Sequence, residues 1–297
     1  MKKLIITAAL YESNISASGK DCISDAEAEI RAIRGDDANA CRSAADRYKT
    51  IRDAASELCG AGVSMIHLYV DPEGNERNAD GGIFIKRLTE SIYEQCPEVL
   101  IVPELLSRNK YNRKSAFEMI KNEPELAVLN CDIDNASEDA DHAEEQIRSL
   151  GNAMLDNGVR PLLKCTDKGM VDTAIRLYRE GWISDPLLFL FILGTKGGMD
   201  ASIDNLLYLK NSIPANSSWS VGCCGDDYLD MAAAAMLMGG NISIGDDKCG
   251  TSELIGRIRK TAQLAELMGR KTASPAEARA IMNLNIKYRR IIDEHLL

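Results

Sequence analysis

The chain has 297 residues, of which 45% are hydrophobic and 27% are charged, a composition typical of a folded globular protein. It carries 35 Lys and Arg residues against 45 Asp and Glu residues, and the net charge of −10 argues against nucleic acid as a partner. An anionic small substrate is compatible with this charge, because a metal, a lysine cluster or helix N-termini can hold an anion inside a pocket.

The cysteines and the N-terminal residues bear on the cellular location. The nine cysteines are an odd number, and no two of them form a C-x-x-C pair, so reduced thiols and a cytoplasmic protein are predicted. Residues 1–7 contain only a short apolar run, unlike a signal peptide. No stretch approaches the roughly 18 apolar residues of a membrane span, so no membrane partner is expected.

Short apolar runs of strand length alternate along the chain with segments of helical periodicity. The eight runs are 3–9, 63–70, 99–103, 126–130, 161–165, 187–193, 219–223 and 241–245, and the helical segments between them include 37–59, 84–96, 136–156, 168–179, 203–212 and 228–238. This alternation requires parallel strands joined by crossover helices. It predicts a single-domain (β/α)8 TIM barrel over residues 1–297, with an open doubly wound sheet as the alternative.

Additional C-terminal helices are predicted after the last strand, over 252–268 and from 274 to about 288. The second begins with a capping signature, in which Ser274 and Pro275 are followed by Glu277. Both helices are expected to cover the barrel wall or a subunit contact. Residues 11–35 are polar and longer than an ordinary βα connection, which predicts a loop or short helix over the site.

Reactive groups of such barrels lie at the C-terminal ends of the strands and in the loops beyond them. His67 and Tyr69 alternate within the second predicted strand, so both side chains face the same side, interpreted as the barrel interior. Polar residues at or after the ends of other strands include Glu12, Glu104, Asn130, Lys164, Asp167 and Asp247. These residues are the candidates for chemistry.

Two of these candidate features have both structural and functional interpretations. His67 and Asp247 have the ligand types that suit zinc or another divalent ion, yet a single strand histidine is more often a core residue and an Asp after a strand often caps a helix. Lys164 inside a strand needs a partner for its charge. A structural ion pair is the favoured interpretation, and a Schiff base is the alternative.

The segment 194–199 is a glycine-rich loop between a buried strand and a helix. Free backbone N–H groups in such a loop can face a phosphate or carboxylate, although this pattern alone is weak evidence. Gly197 and Gly198 are therefore candidate substrate-binding residues.

Sequence blocks over nearly the whole chain carry a family resemblance. They lie at 4–10, 61–62, 66–68, 71–74, 96–98, 124–130, 168–172, 193–199, 219–221, 239–240, 269–270 and 274–279. In order and spacing the chain resembles the β-keto acid cleavage enzymes. The resemblance implies a (β/α)8 barrel, usually tetrameric, in which zinc held by an H-x-H strand and a later Glu polarises a β-keto acid. It also implies acetyl-CoA as the co-substrate, with acyl exchange giving acetoacetate and a new CoA ester.

The blocks around the pocket depart from the family pattern. His67 matches the first zinc-binding histidine, Tyr69 stands at the second, and Asp247 falls at the metal-binding Glu, so these three are the predicted metal ligands. Lys164 and Lys248 stand where the family carries acids. The resulting catalytic candidates are Glu12, Lys164, Asp167 and Lys248, and the substrate-binding candidates are Glu104, Asn130, Gly197 and Gly198.

Glu104 replaces a hydroxyl-bearing loop residue of the family, and in that place it is expected to repel a substrate carboxylate. Three functions are compatible with this pattern. The first is an enzyme of this class that acts on a small oxo acid, with an altered metal site and as a homo-oligomer. The second is a catalytically degenerate barrel with a binding or assembly role, and the third is a metal-free Schiff-base aldolase using Lys164.

Overall fold

The computed structural model describes residues 2–11, 38–70, 81–105, 113–132, 140–225, 227–245 and 249–284. The strands are β1 Ile6–Tyr11, β2 Met65–Val70, β3 Leu100–Leu105, β4 Leu126–Asn130, β5 Arg160–Cys165, β6 Leu188–Leu193, β7 Ser218–Cys223 and β8 Asn241–Ile244. The helices are α1 Ala38–Gly60, α2 Gly81–Tyr93, α3 Arg113–Lys121, α4 Ala140–Asp156, α5 Lys168–Arg179, α6 Ile203–Ser212, α7 Tyr228–Met238, α8 Thr251–Leu267 and α9 Pro275–Ile281. All eight predicted strands are present.

The strands form one parallel sheet in the order β3-β2-β1-β8-β7-β6-β5-β4. β1 pairs with both β2 and β8, which joins the first strand of the chain to the last. β3 and β4, at the two ends of this order, contact each other. The sheet is therefore a nearly closed barrel, which confirms the predicted (β/α)8 fold against the open doubly wound alternative. A single domain over the whole chain stays a prediction.

Alternating side chains divide the apolar residues into two cores. The larger core packs the outer face of the strands against the helices and includes Leu68 and Phe189. The smaller core fills the barrel interior and includes Met65, Val102, Leu162 and Leu190. Ala278 of helix α9 and Met282, which follows that helix, belong to this interior core, at the end where the strands begin. An apolar floor thus closes the barrel below the strand ends.

Two helices differ from the sequence prediction. The sequence does not predict the helix α3, because its nine residues are too few to show a clear periodicity. The helix α9 begins with the predicted capping box, in which Ser274 Oγ accepts a hydrogen bond from the Glu277 backbone at 3.3 Å. The predicted continuation of this helix is wrong over residues 282–284, because the helix ends at Ile281 and Asn283 has a φ of 57°, which interrupts helical geometry. The rest of the predicted extension, to about residue 288, lies outside the described residues.

Other predictions can be compared with only part of the chain. The predicted segment over the site, residues 11–35, lies outside the described residues beyond Tyr11. Within the described ranges, Cys59, Cys96, Cys131 and Cys165 are free thiols, as predicted. None of the helices described by the structure combines the length and apolar character needed to cross a bilayer.

Candidate active site

Three polar side chains meet inside the barrel above the apolar floor. His67 of β2, Glu104 of β3 and Lys164 of β5 each follow a residue of the interior core by two positions, so strand alternation turns them inward. His67 Nε2 lies 2.8 Å from Glu104 Oε2, and Lys164 Nζ donates a hydrogen bond to Glu104 Oε1 at 2.7 Å. The two oxygens of one carboxylate therefore join a histidine and a lysine from different strands.

Burial and charge set the protonation of this cluster. Burial alone would raise the pKa of Glu104, but the nearby Lys164 charge and the hydrogen bond to His67 together lower that pKa to about 2. Burial lowers the pKa of His67, whose side chain is fully enclosed. Because an ionised carboxylate can only accept hydrogen bonds, the proton of the neutral imidazole lies on Nε2. The lone pair of His67 then lies on Nδ1, which has no hydrogen-bond partner among the described residues.

Tyr69 and Tyr11 form an aromatic wall beside the cluster. The Tyr69 ring stacks on His67 and on Tyr11, with ring centroids 4.0 Å apart in both pairs. Lys164 Nζ lies 5.1 Å from the Tyr69 ring centroid, within the range of a cation–π contact. Burial, followed by the charge of Glu104, raises the pKa of Tyr69 well above its ordinary value. The Tyr69 hydroxyl is therefore protonated at neutral pH.

Glu104 has a different position and environment from those predicted. It lies within β3 rather than in the loop after it, and its side chain is only 9% exposed. Its charge is compensated by Lys164 instead of being directed at a substrate carboxylate. Lys164 has the ion pair favoured by the sequence analysis, and an ammonium held in this pair is not the free amine that Schiff-base formation requires.

Asp167 and Asn130 lie near the same ends of their strands but make other contacts. Asp167 is the N-cap of α5, where its Oδ1 accepts a hydrogen bond from the Met170 backbone N–H at 2.9 Å. Its carboxylate is therefore used to start a helix, which argues against its predicted catalytic role. Asn130 is the last residue of β4, is exposed, and stands opposite Lys164 in the β4–β5 register. A contact between Asn130 and substrate stays a prediction.

Gly197 and Gly198 of the predicted loop favour glycine for different reasons. Gly197 has a φ of 87°, a conformation that glycine adopts readily. A side chain at Gly198 would lie 2.7 Å from Thr195 Oγ1 and 3.0 Å from Thr166 Cβ, so this position needs glycine for packing. The Gly198 backbone N–H already donates to Thr195 O at 3.0 Å, so the expectation of a free N–H there is wrong. A substrate-binding role of Gly197 stays a prediction.

The described part of the site does not fit a divalent metal ion. Of the predicted ligands, His67 directs Nε2 to Glu104 and has only Nδ1 without a partner among the described residues, and a tyrosine hydroxyl is not among the usual ligands of zinc. The Lys164 ammonium already neutralises the one carboxylate of the cluster. No group of three His, Cys, Asp or Glu side chains within the described ranges is arranged to hold a metal. Asp247, Glu12 and Lys248 lie outside those ranges.

Comparison with known proteins supports the family resemblance. Residues 47–284 match the family model of the beta-keto acid cleavage enzymes. The chain belongs to this enzyme family. The 3-keto-5-aminohexanoate cleavage enzyme of Fusobacterium nucleatum is 31% identical over 296 residues, covering 96% of this chain and 99% of that enzyme. The 3-dehydrocarnitine:acetyl-CoA trimethylamine transferase of Rhizobium meliloti is 29% identical, covering 80% of this chain and 88% of that enzyme.

Solved structures of more distant proteins share the fold. The truncated 3-deoxy-D-arabino-heptulosonate 7-phosphate synthase from Thermotoga maritima has a TM-score of 0.54 and 12% identity, covering 91% of this chain and 89% of that chain. The N-acetylneuraminic acid synthetase from Leptospira borgpetersenii also has a TM-score of 0.54, at 14% identity, covering 96% of this chain and 92% of that chain. At this identity the likeness concerns the fold alone.

Proposed function

We propose that the protein is an acyl transferase that cleaves a small β-keto acid in a reaction with acetyl-CoA. The bond between the keto carbon and C2 of the acid breaks, and C2 forms a new bond to the carbonyl carbon of the acetyl group. The released acyl group becomes the new CoA thioester, so the products are acetoacetate and an acyl-CoA. The exchange consumes no oxidant or reductant. Family membership supports the reaction class, and the name of one relative includes acetyl-CoA.

The cluster of His67, Glu104 and Lys164 is the structural observation that carries this proposal. Attack on the keto carbon places negative charge on the keto oxygen before the bond to C2 breaks, and a fixed hydrogen-bond donor stabilises that charge most effectively where water is scarce. The Lys164 side chain is 16% exposed, so its ammonium retains access beyond the Glu104 carboxylate that fixes it. Its position near the C-terminal end of β5 is where (β/α)8 enzymes act on substrate.

Isotope tracing tests the proposed exchange. Untagged protein would be incubated with acetyl-CoA carrying ¹³C in both acetyl carbons and with separate β-keto acids, including 3-keto-5-aminohexanoate and 3-dehydrocarnitine, which appear in the names of two relatives. We expect doubly labelled acetoacetate together with an unlabelled new CoA ester for at least one acid, measured by mass spectrometry. A reaction without keto acid controls for hydrolysis of acetyl-CoA.

The His67→Ala variant distinguishes the enzyme from a barrel that has kept only a binding role. It removes one of the two partners of Glu104, so we expect the label transfer to fall by about a hundredfold. Transfer equal in the wild type and this variant would contradict the role of the cluster, and no transfer by the wild type with any of the acids would contradict the proposed reaction. A homo-oligomer, such as the tetramer implied by the resemblance, and a cytoplasmic location stay predictions.

A further inference from the structure

We infer that the ammonium of Lys164 takes the place of a divalent metal ion as the cationic centre of this site. The exclusion of the ion follows from the contacts inside the barrel. The catalytic part of the inference, in which Lys164 donates a hydrogen bond to the keto oxygen, rests on the proposed acyl exchange. The structure therefore assigns a metal-free site to a chain whose family resemblance implies zinc.

The two oxygens of Glu104 are already occupied. Oε1 accepts from Lys164 Nζ at 2.7 Å, and Oε2 lies 2.8 Å from His67 Nε2. A metal ion bound by His67 Nε2 and this carboxylate would have to displace both contacts. The ammonium and the imidazole N–H thus oppose a metal ion held between Nε2 and this carboxylate. Nδ1 of His67 is left without a partner among the described residues, but no group of three His, Cys, Asp or Glu side chains in that part of the chain is arranged to hold a metal ion.

The charge balance of the cluster also opposes a divalent ion. The positive charge of Lys164 and the negative charge of Glu104 cancel, and both side chains are largely removed from water. A divalent cation would add two uncompensated positive charges beside an ammonium, at a place where solvent screens them poorly. Zinc sites need anionic or neutral ligands that are free to coordinate, and this cluster has its one described anion already paired.

Lys164 can supply the chemistry that would otherwise come from a Lewis acid. An ammonium has three N–H donors, and only one of them is needed for the contact with Glu104. The stacked rings of Tyr69 and Tyr11 and the cation–π contact hold the lysine at one place in the barrel. A donor fixed in this way is arranged before the negative charge develops on the keto oxygen, which is the condition for electrostatic catalysis.

Zinc binding tests the metal-free assignment without any assay of activity. Untagged wild-type protein would be analysed for metal by mass spectrometry, depleted with chelator and titrated with zinc chloride in a calorimeter. Because the cysteines can bind zinc elsewhere, the same titration with His67→Ala identifies heat that comes from the cluster. We expect the wild type and His67→Ala to give the same isotherm. A stoichiometric zinc site that is present in the wild type and absent from His67→Ala would overturn the inference.

Removing the ammonium should create the missing metal site. In Lys164→Met, Glu104 loses its positive partner while His67 stays beside it, so we expect zinc affinity at the cluster to rise by about tenfold or more over the wild type. Lys121→Met is the matched control, because Lys121 pairs with Glu118 on the surface at 2.8 Å with 62% of its side chain exposed. Equal zinc affinity at the cluster of folded Lys164→Met and wild type would contradict the charge argument. If Lys164→Met does not fold, the zinc titrations of the wild type and His67→Ala still test the metal-free assignment.

Turnover separates this inference from the proposed function. With a β-keto acid that the wild type accepts, we expect kcat to be unchanged by chelator and to fall by about a hundredfold in Lys164→Met, with Lys121→Met within about twofold of the wild type. Loss of turnover with chelator and its recovery with zinc would overturn the inference while leaving the acyl exchange intact. Absence of turnover would instead contradict the acyl exchange, and the zinc titrations would still judge the metal-free site.

Discussion

The substitution Glu104→Gln is expected to lower the free energy of unfolding by about 3 kcal/mol, because it leaves the ammonium of Lys164 inside the barrel without a counter-charge. Glutamine keeps the size of the side chain, so packing changes little and the loss reports the charge. Lys164 is only 16% exposed and has little water to replace the lost partner. Guanidinium denaturation followed by circular dichroism measures the change.

The matched control is Glu118→Gln, which removes the same charge from an ion pair at the surface. Glu118 accepts a hydrogen bond from Lys121 at 2.8 Å within α3, and the side chains of Lys121 and Glu118 are 62% and 36% exposed. Such pairs contribute little, so the expected change is below about 0.5 kcal/mol. Equal effects of the two Gln substitutions would contradict the buried character of the Glu104 pair.

A double-mutant cycle isolates the coupling between Glu104 and Lys164. Glu104→Gln and Lys164→Met each leave one charged partner buried, whereas the double variant leaves neither. The double variant is therefore expected to be more stable than the sum of the two losses predicts, by about 2 kcal/mol. Additive losses would mean that the two charges do not interact in the folded protein.

The fold was predictable because eight apolar runs of strand length alternate along the chain with segments whose hydrophobic residues recur at helical spacing. Buried parallel strands appear in the sequence as short apolar runs, and the helices between them appear as longer segments with hydrophobic residues every three or four positions. This alternation alone indicates a barrel. Short helices are not predicted in this way. The nine residues of α3 form little more than two turns, which is too few for a clear hydrophobic period. The end of α9 depends on the backbone of Asn283, for which the sequence offers only a weak signal.

The sequence predicts which side chains of one strand share a face, but it does not predict which side chains of different strands meet in the site. Alternation places His67 and Tyr69 on one face, and the same argument applied to β1 would have placed Tyr11 on the interior face. The meeting of Glu104 and Lys164 requires the closure of the barrel, because β4 lies between their strands in the chain. The capping role of Asp167 could have been inferred from its position directly before a predicted helix.

A second large effect is expected at the turn that leads into β8. A side chain at Gly240 would overlap three carbons of the Trp219 ring, which is buried against the barrel. The backbone has little freedom to move away, because the Gly240 N–H donates to Ala235 O at 2.8 Å and its carbonyl accepts from Arg270 Nη1 at 2.6 Å. Gly240→Ala is therefore expected to lower the free energy of unfolding by about 3 kcal/mol, measured by chemical denaturation.

The same substitution at Gly256 is expected to have the opposite sign. Gly256 lies in the interior of α8 with open space around the position of a Cβ atom, so alanine creates no overlap there. Alanine restricts the unfolded chain and favours the helix, which should raise the free energy of unfolding by roughly 0.5 to 1 kcal/mol. Destabilisation by Gly256→Ala, or a neutral effect of Gly240→Ala, would contradict the packing around the corresponding glycine. Because both variants make the same chemical change, opposite signs can come only from the surroundings of each residue.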